Sequence, residues 1–186
     1  MKATGIVRRI DDLGRVVIPK EIRRTMRIRE GDPLEIYTDR EGEVIFKKYS
    51  PIGELAAFAS QYAETLHKTC SLSVVICDRD AVIACAGVPR KDYTDKALSQ
   101  ELEAVIEGRS LYVAREDADP LPVLAEGGVH TVSCAMPIIS EGDIVGCVAS
   151  VCEHPRDNTR RDFPAPEVEQ KLILTAAGFL GRQLEG

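Results

Sequence analysis

No apolar run in these 186 residues approaches the roughly 20 needed to cross a bilayer as a helix, so no membrane partner is expected. The first residues, Met1-Lys2-Ala3-Thr4-Gly5, lack the apolar core and cleavage site of a signal peptide, and the expected compartment is the cytoplasm. No Cys-x-x-Cys pair occurs, so the six cysteines read as reduced thiols and not as a disulfide or zinc framework. Basic residues are outnumbered, 24 Lys and Arg against 30 Asp and Glu, and the net charge of −6 taken alone argues against nucleic acid. What is present, 44% hydrophobic and 29% charged residues, is the composition of a globular chain with room for one large domain or two small ones.

The distribution of charge points the other way. Residues 1–29 carry nine Lys or Arg against Asp11, Asp12 and Glu21, a net of +6, while residues 30–50 and the remainder are each net acidic, at −3 and −9. A short basic segment on an acidic body is a localised electrostatic footprint for a polyanion.

Within that segment, residues 4–10 alternate as a strand, 11–14 (Asp-Asp-Leu-Gly) form a turn, and Arg15 to Ile18 form a second strand. Gly14 is placed where the turn needs a positive φ. Pro19 stops the strand and suits a helix start, giving a short helix from Lys20 to Met26 with Ile22 and Met26 on one face. Leu34 to Thr38 and Glu43 to Lys48 form a hairpin about Arg40-Glu41-Gly42. Four short strands in some 50 residues cannot bury their own apolar surface, so this unit is expected to be an obligate homodimer.

Ser50-Pro51 predicts a capped helix start. Ile52, Leu55, Ala59, Tyr62 and Leu66 follow at heptad spacing, which fits either packing inside one domain or, preferred here, a contact between subunits. Beyond residue 70 the pattern is α+β. Strands are expected at Ser71–Cys77, Ala81–Ala86, Ser110–Arg115, His130–Ser140 and Asp143–Glu153. A helix over Thr94–Glu107 should end on a left-handed Gly108, and a last helix should run from Pro166 to Leu184 with apolar residues on more than one face.

Thr4-Gly5-Ile6-Val7-Arg8, Leu13-Gly14-Arg15-Val16-Val17-Ile18-Pro19, Ile22-Arg23-Arg24 and Leu34-Glu35-Ile36-Tyr37 closely resemble the AbrB-type swapped-hairpin DNA-binding domain. That resemblance implies two chains interleaved into one dimeric all-β barrel bound to double-stranded DNA. Arg8, Arg15, Arg23 and Arg24 match its DNA-contacting positions, with Lys2, Arg9, Lys20 and Arg27 as supporting charges. The alternative, a solvated face ion-paired with Asp11, Asp12 and Glu21, leaves most of nine cations without an acid. Residues 56–186 resemble a GAF domain in the order of their helices and strands. The resemblance implies a small-molecule pocket, ligand unspecified, flanked by residues 88–96 and 115–130. No cyclic-nucleotide, bilin or haem motif accompanies it, so no cofactor is carried over.

The expected organisation is therefore residues 1–50 as DNA-binding domain, 51–55 as a helical junction and 56–186 as a GAF-like regulatory and oligomerising domain. Helices 51–69 and 166–184 are the candidates for joining two dimers into a homotetramer. Pairing both domains resembles a family of forespore transcription regulators, which implies a nucleoid-associated activator and repressor of sporulation genes. Two alternatives remain: an antitoxin-like DNA-binding protein, and a GAF-type, cysteine-dependent methionine sulfoxide reductase. Cysteines on strands read as small buried hydrophobes. His67/Cys70, His130/Cys134 and Cys152/His154 would hold zinc only if they converged.

Overall fold

The computed structural model describes residues 4–115, 117–153 and 164–185. It divides into two compact units, residues 1–49 and 50–186.

In the first unit, helix α1 (Lys20–Thr25) starts directly after Pro19, whose fixed φ suits the position, and ends at Met26. Strands β1 (Leu34–Thr38) and β2 (Val44–Lys48) pair antiparallel, Leu34 opposite Lys48 and Thr38 opposite Val44. Their hairpin is closed by the Asp39 carboxylate, which accepts the Glu41 and Glu43 backbone N–H groups at 3.0 and 2.9 Å. The strands expected at 4–10 and 15–18 form no ladder among the described residues of the single chain. A strand exists only against a partner, and none of the described residues pairs with these segments. Their apolar side chains are correspondingly bare: Val7 is 84%, Leu13 70% and Val17 72% exposed.

The second unit is a five-stranded antiparallel sheet covered on both faces. Its strands are β3 (Val74–Cys77), β4 (Val82–Ala86), β5 (Tyr112–Val113), β6 (Thr131–Ser140) and β7 (Asp143–Cys152), in the order β4-β3-β7-β6-β5. Alternate residues of β3 serve opposite cores. Val74 and Ile76 pack with helices α3 (Ala56–Cys70) and α6 (Pro166–Leu184). Val75 and Cys77 pack with Tyr93, Leu102, Ile106 and Val123, contributed by helices α4 (Arg90–Tyr93) and α5 (Gln100–Glu107) and the segment after β5. Both faces are dry, so β3 is apolar at every position and β4 and β7 nearly so. The order of helices and strands is the one expected of a GAF-like domain.

Four expectations for the second unit need correction. The helix from Pro51 is interrupted: α2 (Pro51–Glu54), capped by Ser50 Oγ on the Gly53 N–H at 3.2 Å, ends at Leu55 before α3 begins. Its heptad seam serves this unit's own sheet, because Ile52, Ala59 and Leu66 are buried with Ile76 and Ile173. The helix expected over 94–107 is confined to α5 (Gln100–Glu107), and α4 (Arg90–Tyr93) lies before it. Residues 95–98 pair along β4 through Asp95 N–H to Val82 O and Val82 N–H to Lys96 O, and Ser99 then caps α5 by accepting the Leu102 N–H at 3.0 Å. Gly108 is right-handed, φ −67°, and the left-handed residue is Arg109, φ 55°. Helix α6 spans the expected Pro166–Leu184 and buries Ile173, Ala176, Ala177 and Leu180.

Candidate nucleic-acid interface

The basic segment is organised by one aspartate. Asp11 Oδ1 accepts the backbone N–H groups of Leu13 (3.0 Å) and Arg15 (2.7 Å), while Oδ2 accepts Arg15 Nε at 2.8 Å. Asp11 N–H returns a bond to Arg15 O, and Gly14 N–H donates to Asp11 O, both at 3.0 Å. Gly14 has φ +76°, as expected, a conformation in which a side chain would be strained. Arg15 is thereby tethered while its side chain stays 70% exposed. The Asp11 carboxyl is held below the usual aspartate range, first by the Arg15 backbone N–H and then by the Arg15 guanidinium.

Helix α1 carries the next pair of cations. Arg23 N–H donates to Pro19 O at 3.0 Å, and Arg23 and Arg24 stand in the last turn with exposed side chains. Arg27 follows with φ 52°, and its carbonyl accepts Lys48 Nζ at 2.9 Å, which ties α1 to β2. Ile22 is half-buried, but its expected companion Met26 is exposed. Arg8, Arg9 and Lys20 are also exposed, and Lys2 lies outside the described residues. The ion-pair alternative thus accounts for Arg15. The role of Asp11 was not apparent from the sequence, although an aspartate four residues before an arginine, with glycine between, was a usable signal.

Of the flanks expected of a small-molecule pocket, Val88 and Tyr93 in the first and Leu121, Val123 and Leu124 in the second are buried in one core layer, beside Leu98, whereas most of their other described residues are exposed. Ser99 Oγ donates to Pro122 O at 2.6 Å. Within this layer sits a pair unforeseen in the sequence: Tyr93 Oη lies 2.8 Å from His130 Nδ1, the rings edge-on at 5.5 Å. His67 Nδ1 lies 3.0 Å from Leu72 O. Among the described residues no three His, Cys, Asp or Glu side chains converge as for a metal, and His154 lies outside them.

All six cysteines are free thiols. Cys77, Cys85, Cys134, Cys147 and Cys152 are buried on strands, as expected, and Cys70 ends α3 half-exposed. Burial, with the Glu169 carboxylate nearby, pushes the Cys134 thiol up to about 12, and the Cys147 thiol against Cys77, together with burial, pushes Cys77 far above its usual value. Thiols held protonated are poor nucleophiles, which weighs against cysteine-dependent catalysis. At pH 8, iodoacetamide should modify native Cys134 roughly a thousandfold more slowly than an ordinary thiol, with Cys70 labelled first. Peptide mass spectrometry checks this; native labelling of Cys134 at the rate of Cys70 would contradict the buried assignment.

Comparison with known proteins covers both units. The family model described as "Stage V sporulation protein T C-terminal, transcription factor" matches residues 54–185, and that described as "Antidote-toxin recognition MazE, bacterial antitoxin" matches residues 7–53. The chain is 51% identical to stage V sporulation protein T of Bacillus subtilis (strain 168), covering 100% of this chain and 99% of that protein. It is 65% identical over 51 residues to the transition state regulatory protein AbrB of the same organism, 27% of this chain and 52% of that one. The solution structure of the N-terminal DNA recognition domain of B. subtilis AbrB is 63% identical, covering 27% of this chain and 94% of that chain, with a TM-score of 0.25.

Proposed function

The chain belongs to the stage V sporulation protein T family, and we propose from that premise how its two units divide the work of a DNA-binding transcription regulator. The N-terminal unit, about residues 1–50, binds double-stranded DNA through Arg8, Arg15, Arg23 and Arg24. Lys2, Arg9, Lys20 and Arg27 supply supporting charge. The observation that carries this reading is the +6 segment, concentrated on a unit whose described arginines 8, 15, 23 and 24 are all exposed. Arginine both releases counterions from phosphate and offers a fork that fits guanine or phosphate.

The unit works as a homodimer. Its bare Val7, Leu13 and Val17 and the unladdered segments around them are what a second copy would cover. Residues 56–186, reached through a helical junction at 51–55, form the GAF-like regulatory part, which we assign to metabolite sensing and to assembly of two dimers into a tetramer. Helices 51–69 and 166–184 are the contact: of the seam, Ile52, Ala59 and Leu66 are spent internally, while Tyr62 joins an aromatic group that stays partly open. Tyr62 stacks on Phe58 at 6.3 Å and on Phe179 at 5.5 Å, and Phe58 and Phe179 meet tilted at 5.9 Å, with Phe179 40% exposed. Two DNA-binding heads in one assembly gain avidity by effective concentration. The setting is the cytoplasm of the forespore, with the protein on the nucleoid as an activator and repressor of sporulation genes. The packed second unit, unlike a disordered toxin-binding tail, speaks against an antitoxin.

A salt-titrated binding assay tests the site. Relative to wild type, Arg15→Ala and Arg23→Ala should each weaken binding roughly tenfold or more at fixed salt. Each should also flatten the slope of log K against log salt by about 0.9 for every phosphate that the arginine neutralised. Unchanged affinity and slope in both variants would remove these arginines from the interface.

A further inference from the structure

We propose that Asp11 is a positioning residue for DNA recognition, its carboxylate orienting the Arg15 guanidinium so that the arginine meets the duplex in one geometry. The inference rests on the reading of Arg15 as a DNA contact. An acid in the middle of a DNA-binding segment is otherwise a liability, because it repels phosphate and offsets the charge of its neighbour. An exposed ion pair also adds little to stability. What the geometry offers in exchange is order.

The two carboxylate oxygens are divided between tasks. Oδ1 accepts the Leu13 and Arg15 backbone N–H groups and so shapes the turn, whereas Oδ2 accepts Arg15 Nε. Nε is the inner donor of the guanidinium. Its use by Asp11 leaves both outer amines, the planar fork that recognises guanine O6 and N7 or a phosphate, with their own donors. Arg15 N–H and Nε on Asp11, and Asp11 N–H on Arg15 O, fix the base and the head of one side chain together. A free arginine loses rotamer freedom on docking; this one is pre-organised. Asp11 therefore trades non-specific affinity for specificity.

The division of labour makes Asp11→Asn informative. Asparagine keeps an acceptor for the two backbone N–H groups, but it sets an amine where Oδ2 receives Nε and removes a negative charge. The full-length chain is assayed by fluorescence anisotropy at fixed salt on two probes: the tightest duplex that wild type selects from a random library, and a scrambled duplex of the same composition. For Asp11→Asn, affinity for the scrambled duplex should hold or rise slightly, while the ratio of selected to scrambled affinity falls roughly tenfold, the scale of one misplaced bidentate contact. Equal tightening on both duplexes would mean that Asp11 acts only as a charge, and an unchanged ratio would mean that it only shapes the turn; either overturns the proposal.

Arg15→Ala separates this failure from failure of the underlying reading. If Arg15→Ala leaves both affinity and ratio at wild-type values, the assignment of Arg15 to the interface fails. If Arg15→Ala lowers the ratio but Asp11→Asn does not, only the positioning role fails. In the Arg15→Ala background, Asp11→Asn should leave the ratio unchanged, and a further drop there would place its effect elsewhere. NMR supplies a DNA-free check. The Asp11 carboxyl should titrate below the usual aspartate range and move part of the way back in Arg15→Ala, since the backbone N–H remains. A titration that Arg15→Ala does not move would show that the contact is absent in solution.

Discussion

A chain in which Val16 and Val17 are both replaced by aspartate should lose sequence-specific DNA binding altogether while its C-terminal unit stays folded. Neighbours in a strand point to opposite faces, so whichever face the second copy covers, one of the two substitutions places a carboxylate in it. In the single chain Val17 is 72% exposed and Val16 43%, so neither is buried by its own chain. If the dimer buries either valine fully, that side chain contributes about 1.5–3 kcal/mol. An unpaired carboxylate in the same place costs several kcal/mol more, and two-fold symmetry applies the penalty twice. Such a loss exceeds what a 50-residue unit can absorb. Specific affinity should fall to the non-specific level, roughly a thousandfold or more. Circular dichroism should retain the second unit's thermal transition, because its cores draw on no residue before Ile52. Binding of the selected duplex within about tenfold of wild type would refute the proposed interleaved dimer.

How much of this was legible in the sequence depends on where each element finds its partners. Helix α6 was readable end to end, because Pro166 marks its start and Ile173, Ala176, Ala177 and Leu180 trace one helical face. The cysteines were readable too: a small hydrophobe on an apolar strand is buried, whatever its neighbours. Residues 94–98 were misread as helix because their conformation is set by β4, through Val82 N–H to Lys96 O and Asp95 N–H to Val82 O, a contact that no local pattern announces. The heptad seam of α3 was misassigned for a related reason. Spacing says that a face is buried, but not whether the covering surface belongs to its own sheet or to another subunit. At the candidate DNA site the cations stood out as composition. The Asp11 tether did not, since an acid in a basic segment reads as noise until its hydrogen bonds are known.

Three glycines of the second unit should respond to the same substitution with opposite signs. Gly146 on β7 sits where an added Cβ would stand inside contact distance of the Cys77 carbonyl oxygen on β3, and Gly181 on α6 faces the Ile139 carbonyl oxygen of β6 in the same way. Both obstacles are backbone atoms and cannot swing aside as a side-chain tip could. Relief therefore requires β3 to part from β7 in the first case and α6 to lift off β6 in the second. That shift would loosen the packing of Val75, Ala149, Ile173 and Leu180, all fully buried. Overpacking of this kind costs about 1–3 kcal/mol, and the backbone clash places both variants at or above the upper end. Gly178, three residues earlier on α6, meets nothing within 4 Å. Alanine there only removes the backbone entropy of a helical glycine and should stabilise the unit by about 0.5–1 kcal/mol. Urea unfolding of the full-length chain, followed through the second unit's transition, reads all three. Gly146→Ala and Gly181→Ala should unfold at markedly lower denaturant and Gly178→Ala slightly higher. Sedimentation of Gly178→Ala then bears on assembly, since that position lies on the open side of α6 beside Phe179. If the proposed tetramer forms, its loss in a stabilised Gly178→Ala would place the subunit contact on that face, whereas a proposed tetramer unaffected by the added methyl would place the contact away from it.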